Sequence, residues 1–348
     1  MTGFPVPPCP APPPGPTPPA RLTVAVAAHA DERFEQTCRC VRSALEGARP
    51  ADEVVVVVDR NPPLEARLRA ALPTAVAVHP SDGDGAAAAR TTALHRSSGD
   101  VLVFVDDDAW VEPDFLTVVA DAFADPSVVA AGGRIVPEWE DPARALPEEL
   151  YWVVGSTYLG HRTDPGPITR PIGAAMAVRR AALATVGGFH PDFGPTGGRK
   201  TSSNEELATF TLVARRFGAD AIVYLPDAVA HHVAPAARCR FRYLLERSLV
   251  EGTSKADARR AFGSAVMRHD RGYTTTVLLP CLAGHALAAL RGDRARARAA
   301  AFDATSLAAA AAGYLGRLAL TRPAARRRPA ANVEQGVTAV RAGGGSGR

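Results

Sequence analysis

Three consecutive carboxylates, Asp106, Asp107 and Asp108, have the residue type and spacing best suited to chemistry in this sequence. They directly follow an apolar run, Val101–Val105, that is typical of a buried strand. Three adjacent negative charges repel one another and need a positive partner. A hard divalent cation, Mg²⁺ or Mn²⁺, held by one or two carboxylates together with substrate phosphates would supply that charge. The alternative is a solvated acidic turn that caps the next helix.

The elements that must position these carboxylates alternate between short β-branched strands and longer helices. Apolar strands without alternation are buried on both faces, so the pattern predicts an α/β protein with a parallel sheet covered by helices. The predicted strands are 22–28, 53–58, 75–78, 101–105, 128–131, 172–178 and 221–225. The predicted helices are 34–45, 64–72, 86–96, 113–123 and 205–217. Ligands of such sheets bind at the carboxyl ends of the strands, which is where the three aspartates lie.

Composition narrows the class of protein. The chain has 348 residues, 47% hydrophobic and 22% charged, which excludes a disordered or fibrous protein. Only Lys200 and Lys255 are lysines among 40 basic residues, a bias that indicates genome composition rather than nucleic-acid binding. The net charge is +4, and eleven arginines against three acidic residues concentrate positive charge in residues 291–348. Five scattered cysteines without a CxxC pair predict neither a disulfide framework nor a structural zinc site.

Seven features, in this order and spacing, resemble the inverting family 2 glycosyltransferases of the GT-A fold. They are the strand and turn 24–32, the EVVVVVD run ending at Asp59, the loop 83–90, FVDDDAW at 104–110, the Gly187-Gly188-Phe189 turn, Glu205-Glu206 opening a helix, and His232 after a late strand. The resemblance implies a GT-A α/β fold with a mostly parallel central sheet, followed by a C-terminal helical region. It also implies transfer of a sugar from a nucleotide-diphosphate donor, a UDP- or GDP-sugar, to a hydroxyl acceptor with Mn²⁺ or Mg²⁺.

The same resemblance implies roles in binding the donor. Asp59 matches the acid that contacts the nucleobase, Asp106 the acid that faces the ribose, and Asp108 the metal ligand of the DxD motif. Asp107, between these two acids, is also expected to take part in binding the donor. Arg90 matches an arginine that braces Asp106 or reaches the phosphates.

Further roles follow from the later part of the match. Glu206 matches the base that deprotonates the acceptor hydroxyl, but relatives commonly have Glu-Asp here, so the choice between Glu205 and Glu206 stays open. His232 matches a histidine that contacts metal or diphosphate, while its neighbour His231 is expected to be structural. Lys255, in the EGTSKA run at 251–256, resembles a basic segment near the leaving diphosphate.

Two departures from the family pattern keep other functions in view. Thr91 and Ala175 stand where relatives commonly have Asn, which leaves open a non-catalytic sugar-nucleotide or glycan-binding relative. A dinucleotide-binding oxidoreductase is a further alternative, since Gly83-x-Gly85-x-x-Ala88 resembles the GxGxxG/A fingerprint. That fingerprint belongs to the first strand-to-helix turn, whereas this loop follows the third strand, so the oxidoreductase is disfavoured.

Four segments are expected along the chain. Residues 1–20, with ten prolines, predict a disordered leader, residues 21–235 the GT-A domain, residues 236–320 a helical region, and residues 321–348 a disordered Arg- and Gly-rich tail. No stretch reaches the roughly 18–20 uncharged apolar residues that a spanning helix needs, and the nearest, 274–290, is expected to be broken by Pro280 and His285.

The acceptor is expected to be a saccharide or a lipid-linked sugar. This expectation follows because the sequence resembles a branch of the family that adds sugars to lipid-linked carriers such as polyprenyl or dolichyl phosphates. Apolar segments bordered by arginines favour peripheral contact with a membrane, against the alternative of helices packed on the catalytic domain. The predicted location is the cytoplasm, with a peripheral position at the inner face of the cell membrane left open. No nucleic-acid partner is predicted.

Overall fold

The computed structural model describes residues 20–190 and 205–320. Its first part is a mixed β-sheet with helices on both faces, and a group of helices from Phe241 onward follows it. Nearly all of the predicted leader, the whole predicted tail and the glycine-rich loop 194–198 lie outside the described residues.

Nine strands of the described residues form one sheet. In chain order they are β1 (Leu22–Ala28), β2 (Glu53–Val58), β3 (Val76–Pro80), β4 (Val101–Asp106), β5 (Ala109–Val111), β6 (Ala130–Trp139), β7 (Gly166–Pro167), β8 (Ala175–Arg179) and β9 (Ile222–Ala234). Across the sheet the order is β3-β2-β1-β4-β8-β6-β9-β5, and β7 pairs with β9. The first four strands of this order are parallel, and β8 runs antiparallel between β4 and β6. The predicted α/β class is therefore confirmed.

Ten α-helices accompany this sheet within the described ranges. They are α1 (Phe34–Leu45), α2 (Pro62–Ala71), α3 (Ala86–Arg96), α4 (Phe115–Ala122), α5 (Arg180–Thr185), α6 (Glu205–Phe217), α7 (Phe241–Phe262), α8 (Arg268–Tyr273), α9 (Leu279–Leu290) and α10 (Arg294–Leu320). A 3₁₀ helix, Glu148–Val154, lies between the sheet and the last helices in the sequence. The predicted helix 64–72 begins two residues earlier, at Pro62, because the Asn61 side chain accepts from the Leu64 amide at 3.1 Å and caps the helix there.

The valines of β2 explain why its apolar run is continuous. Val54, Val56 and Val58 pack into a cluster with side chains of α1 and α2 on one face of the sheet. Val55 and Val57 pack into a second cluster with α3 and α6 on the other face. Burial of each valine side chain stabilises the fold by about 1.5–3 kcal/mol, so the layers on both faces hold the strand in place.

The long strands β6 and β9 differ from the prediction, which ended them at Ala131 and Leu225. They pair in parallel along their whole length, with a register shift between Gly133 and Arg134. A Cβ on Gly133 would meet the Ala228 carbonyl, so glycine permits this close approach of the two strands. The strand β9 therefore continues through Pro226 and Asp227 and carries His231 and His232 within the sheet.

The expected break at Pro280 is wrong, because the helix continues through it. Residues Ser264–Leu290 form one unbroken helical segment in which a π turn, Thr274–Leu278, precedes α9. Hydroxyls of the three threonines at 274–276 donate to backbone carbonyls one turn earlier. These bonds satisfy carbonyl oxygens that an irregular turn leaves without a backbone partner. This segment of 27 residues has a mean hydropathy of 1.4 in its most apolar window, of which 11% is buried. By length and composition alone it could cross a membrane.

The helices α7 and α10 pack with their backbones in contact. A Cβ on Gly252 of α7 would meet the Ala310 carbonyl, and a Cβ on Gly313 of α10 would meet the Leu249 carbonyl. The Ser248 and Ser306 hydroxyls lie 3.1 Å apart at the same interface. Small residues on both sides therefore fix α10 against α7.

Candidate active site

The pairing of β5 with β9 brings His232 to the acidic turn. The strand β4 ends at Asp106, and the next two residues, Asp107 and Asp108, form the turn to β5. Ala109 of β5 lies opposite His232 in the antiparallel ladder. As a result the His232 Nε2 lies 3.0 Å from Asp108 Oδ1. The Val233 amide also donates to the Asp108 carbonyl at 2.9 Å. Residues more than 120 positions apart are thus joined by sheet register.

Three of these side chains could hold a metal ion. Asp106, Asp108 and His232 offer ligand atoms that all lie within 4.8 Å of one another. The His232 Nδ1 atom is buried and accepts no hydrogen bond in the described structure. Carboxylate oxygens with one imidazole suit Mn²⁺ or Mg²⁺, with Mn²⁺ the better match for the nitrogen.

Two arginines compensate the acidic turn. Arg33, which follows β1, contacts Asp107 Oδ1 at 2.6 Å and Asp108 Oδ2 at 2.9 Å, and Arg238 lies 3.5 Å from the same Asp108 oxygen. Burial alone would raise the pKa of Asp108, but the hydrogen bond from His232 and the arginine charges outweigh it and lower that pKa. Burial and the adjacent carboxylates raise the pKa of Asp107 to about 6, against the effect of Arg33. Asp108 therefore stays ionised, as a metal ligand must.

Sequence reasoning missed Arg33. Its one signal was its place in the turn after β1, the strand that neighbours β4, so both carboxyl ends meet at one edge of the sheet.

Arg90 of α3 contacts three carboxylates on the other side of the turn. Its Nη2 lies 3.0 Å from Asp106 Oδ1, and its Nη1 lies 3.1 Å from Glu205 Oε1 and 3.0 Å from Glu206 Oε1. Burial would lower the pKa of the guanidinium, but the three carboxylates raise it above its usual range. One buried cation thus joins the end of β4 to the start of α6.

The two glutamates have different environments. The Glu206 side chain is 17% exposed and lies above Gly173, where a Cβ would collide with its Oε1 atom. The Glu205 side chain is 7% exposed, and burial together with the Glu206 carboxylate raises its pKa well above the usual range. Glu205 is therefore the protonated member of the pair near neutral pH, and Glu206 the one that faces open space.

Asp59 lies at the end of β2 and contacts the loop before α3. Its Oδ2 accepts from the Gly85 amide at 3.0 Å, while its Oδ1 is buried and accepts no hydrogen bond in the described structure. Gly85 has a φ of 87°, in the left-handed region that favours glycine. This Oδ1 atom lies 3.4 Å from Arg60 Nε, at the carboxyl edge of the sheet.

A cavity of about 780 Å³ adjoins this site. Asp106, Gly173 and Glu206 line it, as do Arg247 and Lys255 of α7. Lys255 lies within a helix rather than on a loop, and its Nζ contacts Asp270 at 2.9 Å and Glu251 at 3.4 Å. Lys255 therefore shares the cavity with Asp106 and is not in contact with the acidic turn, and its role in binding the donor stays a prediction.

His231 points to the opposite face of β9 from His232, because successive strand residues alternate. Its ring stacks on Trp110 with centroids 3.9 Å apart, and its Nε2 lies 2.9 Å from Glu112 Oε1. These contacts occupy it away from the Asp108 cluster.

A second buried group, Glu149, His285 and Asp303, also brings ligand atoms within 4.8 Å of one another. The Arg296 Nη1 lies 2.9 Å from His285 Nε2, and since arginine only donates, this nitrogen accepts. The ring proton is therefore on Nδ1, which donates to Asp303 at 3.0 Å. In this arrangement the group forms a hydrogen-bonded network between α9, α10 and the 3₁₀ helix.

One known protein is similar to this chain in sequence, and another is similar in structure. The glucosyl-dolichyl phosphate glucuronosyltransferase of Haloferax volcanii is 28% identical over 240 residues, which cover 68% of this chain and 76% of that protein. The mannosyltransferase PcManGT from Pyrobaculum calidifontis, solved in complex with GDP-Man and Mn²⁺, superposes with a TM-score of 0.56 at 21% identity. That superposition covers 86% of this chain and 88% of PcManGT and confirms the predicted GT-A fold.

The family model described as glycosyl transferase family 2 matches residues 23–187. The matched segment contains β1 to β8, with Asp59, Arg90 and the acidic turn, and it ends before Glu205, Glu206 and His232. Residues 23–187 are therefore similar to glycosyl transferase family 2, and the chain has a GT-A fold.

Proposed function

We propose that this protein is an inverting, metal-dependent glycosyltransferase that moves a sugar from a nucleotide-diphosphate donor to a hydroxyl acceptor. One observation carries the proposal: the Arg90 guanidinium contacts both Asp106 and Glu206. Asp106 borders the Asp108–His232 cluster, and Glu206 borders the cavity. Donor-side acids and a candidate base are thereby fixed at one place in the fold.

Roles on the donor side follow from the contacts. Asp108 and His232 would hold Mn²⁺ or Mg²⁺ with Asp106 within reach, and the ion would offset the charge of the donor diphosphate. Asp59, whose Oδ1 accepts no hydrogen bond in the described structure, would accept from the nucleobase, and Asp106 from the ribose. Arg33 and Arg238 keep the acidic turn together before the donor arrives.

On the acceptor side Glu206 is the proposed general base. Its carboxylate faces the cavity and takes the proton of the acceptor hydroxyl as that oxygen attacks the anomeric carbon, opposite to the departing diphosphate. Glu205 is buried and protonated near neutral pH, so we assign it a positioning role through Arg90. With Glu205 neutral, the single positive charge of Arg90 is shared by Asp106 and Glu206 alone.

For the acceptor we propose a lipid-linked saccharide at a membrane surface. The named activity of the Haloferax relative supports this, and so do the last four helices of the described chain. Among the described residues, the large apolar side chains that are exposed lie within 241–320, with the exceptions of Leu159 and Phe217. In this proposal residues 21 to about 235 form the catalytic domain, residues 236–320 form the acceptor side, and the site faces the cytoplasm.

Isothermal titration of the full-length protein with UDP and GDP, with and without Mn²⁺, tests the proposal. We expect binding of one nucleotide diphosphate that requires the metal. Absence of metal-dependent binding to every nucleotide diphosphate tried would contradict the donor site.

A further inference from the structure

The part of the cavity lined by α7 and α8 contains mostly paired charges. The Arg247 Nη1 lies 2.9 Å from Glu251 Oε2, and Lys255 contacts both Glu251 and Asp270. Burial, followed by neighbouring positive charge, lowers the pKa of His269, so this imidazole is neutral at pH 7. Two cations here face two carboxylates and are balanced.

Arg170, on the segment between β7 and β8, lines the same cavity and adds a third cation. Within residues 20–190 and 205–320 its guanidinium donates no hydrogen bond and forms no ion pair, and its Nη1 atom is buried without a partner. A buried charged donor without a partner carries a large desolvation cost. A buried Nη1 atom without a partner, on a half-buried side chain that lines a cavity, therefore favours a ligand that accepts from it.

The charges around Arg170 favour an anionic group on the ligand. In this part of the cavity Arg170, Arg247 and Lys255 exceed Glu251 and Asp270 by one positive charge, whereas Asp106, Glu206 and Asp220 line other parts of it together with Arg162. The charge of Arg170 interacts with those of Asp270, Glu251 and, less strongly, Glu206, and it forms an ion pair with none of them. An acceptor that reaches Arg170 can thus keep one hydroxyl at Glu206.

Apolar side chains complete the lining. Leu278, from the helical segment Ser264–Leu290, and Leu307 of α10 border the cavity together with the cations. A phosphodiester has a sugar on one side, a chain on the other and one negative charge between them, and the cavity lining offers an acid, a cation and apolar side chains for these three parts. The planar fork of arginine also matches two oxygens of a phosphate.

We propose that Arg170 binds the phosphate of a sugar phosphodiester acceptor, with the sugar toward Glu206 and the substituent toward Leu278 and Leu307. This inference rests on the proposed transferase function and names the acceptor class of that site. The phosphodiester could belong to a lipid-linked sugar or to a water-soluble sugar phosphate, and its chemistry at Arg170 is the same.

Titration of three synthetic compounds into the full-length protein tests the proposal without catalysis. They are octyl glucosyl phosphate, methyl glucosyl phosphate and the neutral octyl glucoside. We expect the wild type to bind octyl glucosyl phosphate at least about 10-fold more tightly than octyl glucoside, and Arg170→Gln to lose this preference by about 10- to 100-fold, as for loss of a charged hydrogen bond. Equal affinity for the charged and neutral octyl compounds would overturn the proposal, as would retention of the preference in Arg170→Gln.

Arg162→Gln is the matched control, because Arg162 also lines the cavity but donates to its own loop, to the Asp164 carbonyl at 2.7 Å and the Pro165 carbonyl at 2.9 Å. We expect it to keep the preference. Unchanged binding of the nucleotide diphosphate with Mn²⁺ shows that Arg170→Gln is folded. The nucleotide titration also distinguishes the Arg170 proposal from the proposed function. If the donor site were wrong, nucleotide binding would be absent, whereas the preference for the phosphodiester would remain. Equal binding of the methyl and octyl phosphates would support the phosphate site and overturn its lipid-linked source.

Discussion

Asp106 and Glu206 are separated by one guanidinium, with Arg90 Nη2 3.0 Å from the Asp106 carboxylate and Arg90 Nη1 3.0 Å from that of Glu206. Asp106 ends a strand within the segment that matches the family 2 model, whereas Glu206 begins a helix outside it. Any ligand that draws Asp106 away from Arg90 leaves more of its charge for Glu206. Occupation of the donor side is therefore coupled to the electrostatics of the proposed base.

We expect Glu206→Gln to retain metal-dependent nucleotide binding and to reduce kcat by about 10²–10⁴-fold, because an amide cannot take the acceptor proton. Glu205→Gln keeps a neutral group at its position and should retain much more activity. Titration calorimetry and steady-state kinetics on both variants measure these effects. A dead Glu205→Gln beside an active Glu206→Gln would move the base by one residue.

His232→Gln should weaken Mn²⁺-dependent nucleotide binding, because it removes one of the three candidate ligands. His231→Gln is the matched control, since that ring contacts Trp110 and Glu112 on the other face of β9. The nucleotide Kd at several Mn²⁺ concentrations compares them. Equal Mn²⁺ requirements in the two variants would remove His232 from the metal site.

Gly173→Ala should impair turnover while the protein stays folded. A Cβ at this position collides with Glu206 Oε1 and lies 3.2 Å from Arg90 Nη2, so the carboxylate must move. Because Glu206 is a flexible side chain, the fold can absorb the change, and kcat should fall more than the melting temperature. Gly187→Ala probes a glycine whose Cβ would meet nothing within 4 Å, although its positive φ adds backbone strain. An unchanged kcat in Gly173→Ala would contradict the assigned position of the base.

The buried network of the last helices should make stability depend on pH. Burial, and then the Glu149 carboxylate, raise the pKa of Asp303 to about 7 against the effect of His285, whereas an unfolded Asp titrates near about 3.9. The folded state therefore binds the extra proton between these values. The stability that Asp303 contributes is complete below about pH 4 and is lost as the pH rises through about 7.

Melting temperatures from pH 5 to 8 measure this dependence. Asp303→Asn, which carries no titrating carboxyl, should flatten the curve relative to the wild type, whereas Asn at the exposed Asp121 should not. Parallel curves for the wild type and Asp303→Asn would show that Asp303 does not titrate in this range.

Membrane contact should depend on the outer leucines of α9. Leu279, Leu287 and Leu290 are 42%, 51% and 85% exposed, and arginines follow them in the sequence. We expect the full-length protein to sediment with anionic liposomes at low salt and less at high salt. The triple change of these leucines to Gln should keep it in the supernatant, while Leu159→Gln, at an exposed leucine outside the last helices, should not.

The sequence predicted the parts of this protein that local patterns determine. The strands β1 and β2, the helices α1, α3 and α6, and the acidic turn after β4 were expected from apolar runs and from the residues that end them. The lengths of β6 and β9 were not, because Gly133, Pro137 and Pro226 are read locally as breaks and only their pairing in the sheet overrides this.

Contacts between distant segments were also beyond local patterns. Arg33 on the acidic turn and Arg170 in the cavity carry no motif, and their importance appears only when the sheet edges and the last helices meet. The continuation of the helix through Pro280 depends on a π turn and on threonine hydroxyls, which no periodicity of apolar residues indicates.

The lining of the cavity has an evolutionary consequence. Asp106 and Gly173 belong to the segment that family 2 members share, whereas Arg247, Lys255, Leu278 and Leu307 belong to helices beyond it. Mutations in those helices alter the room for an incoming molecule and leave Asp106 and Gly173 unchanged. The shape and charge of the cavity can therefore vary while the matched segment stays the same, and chimaeras that exchange only these helices should acquire the cavity lining of the protein that supplied them.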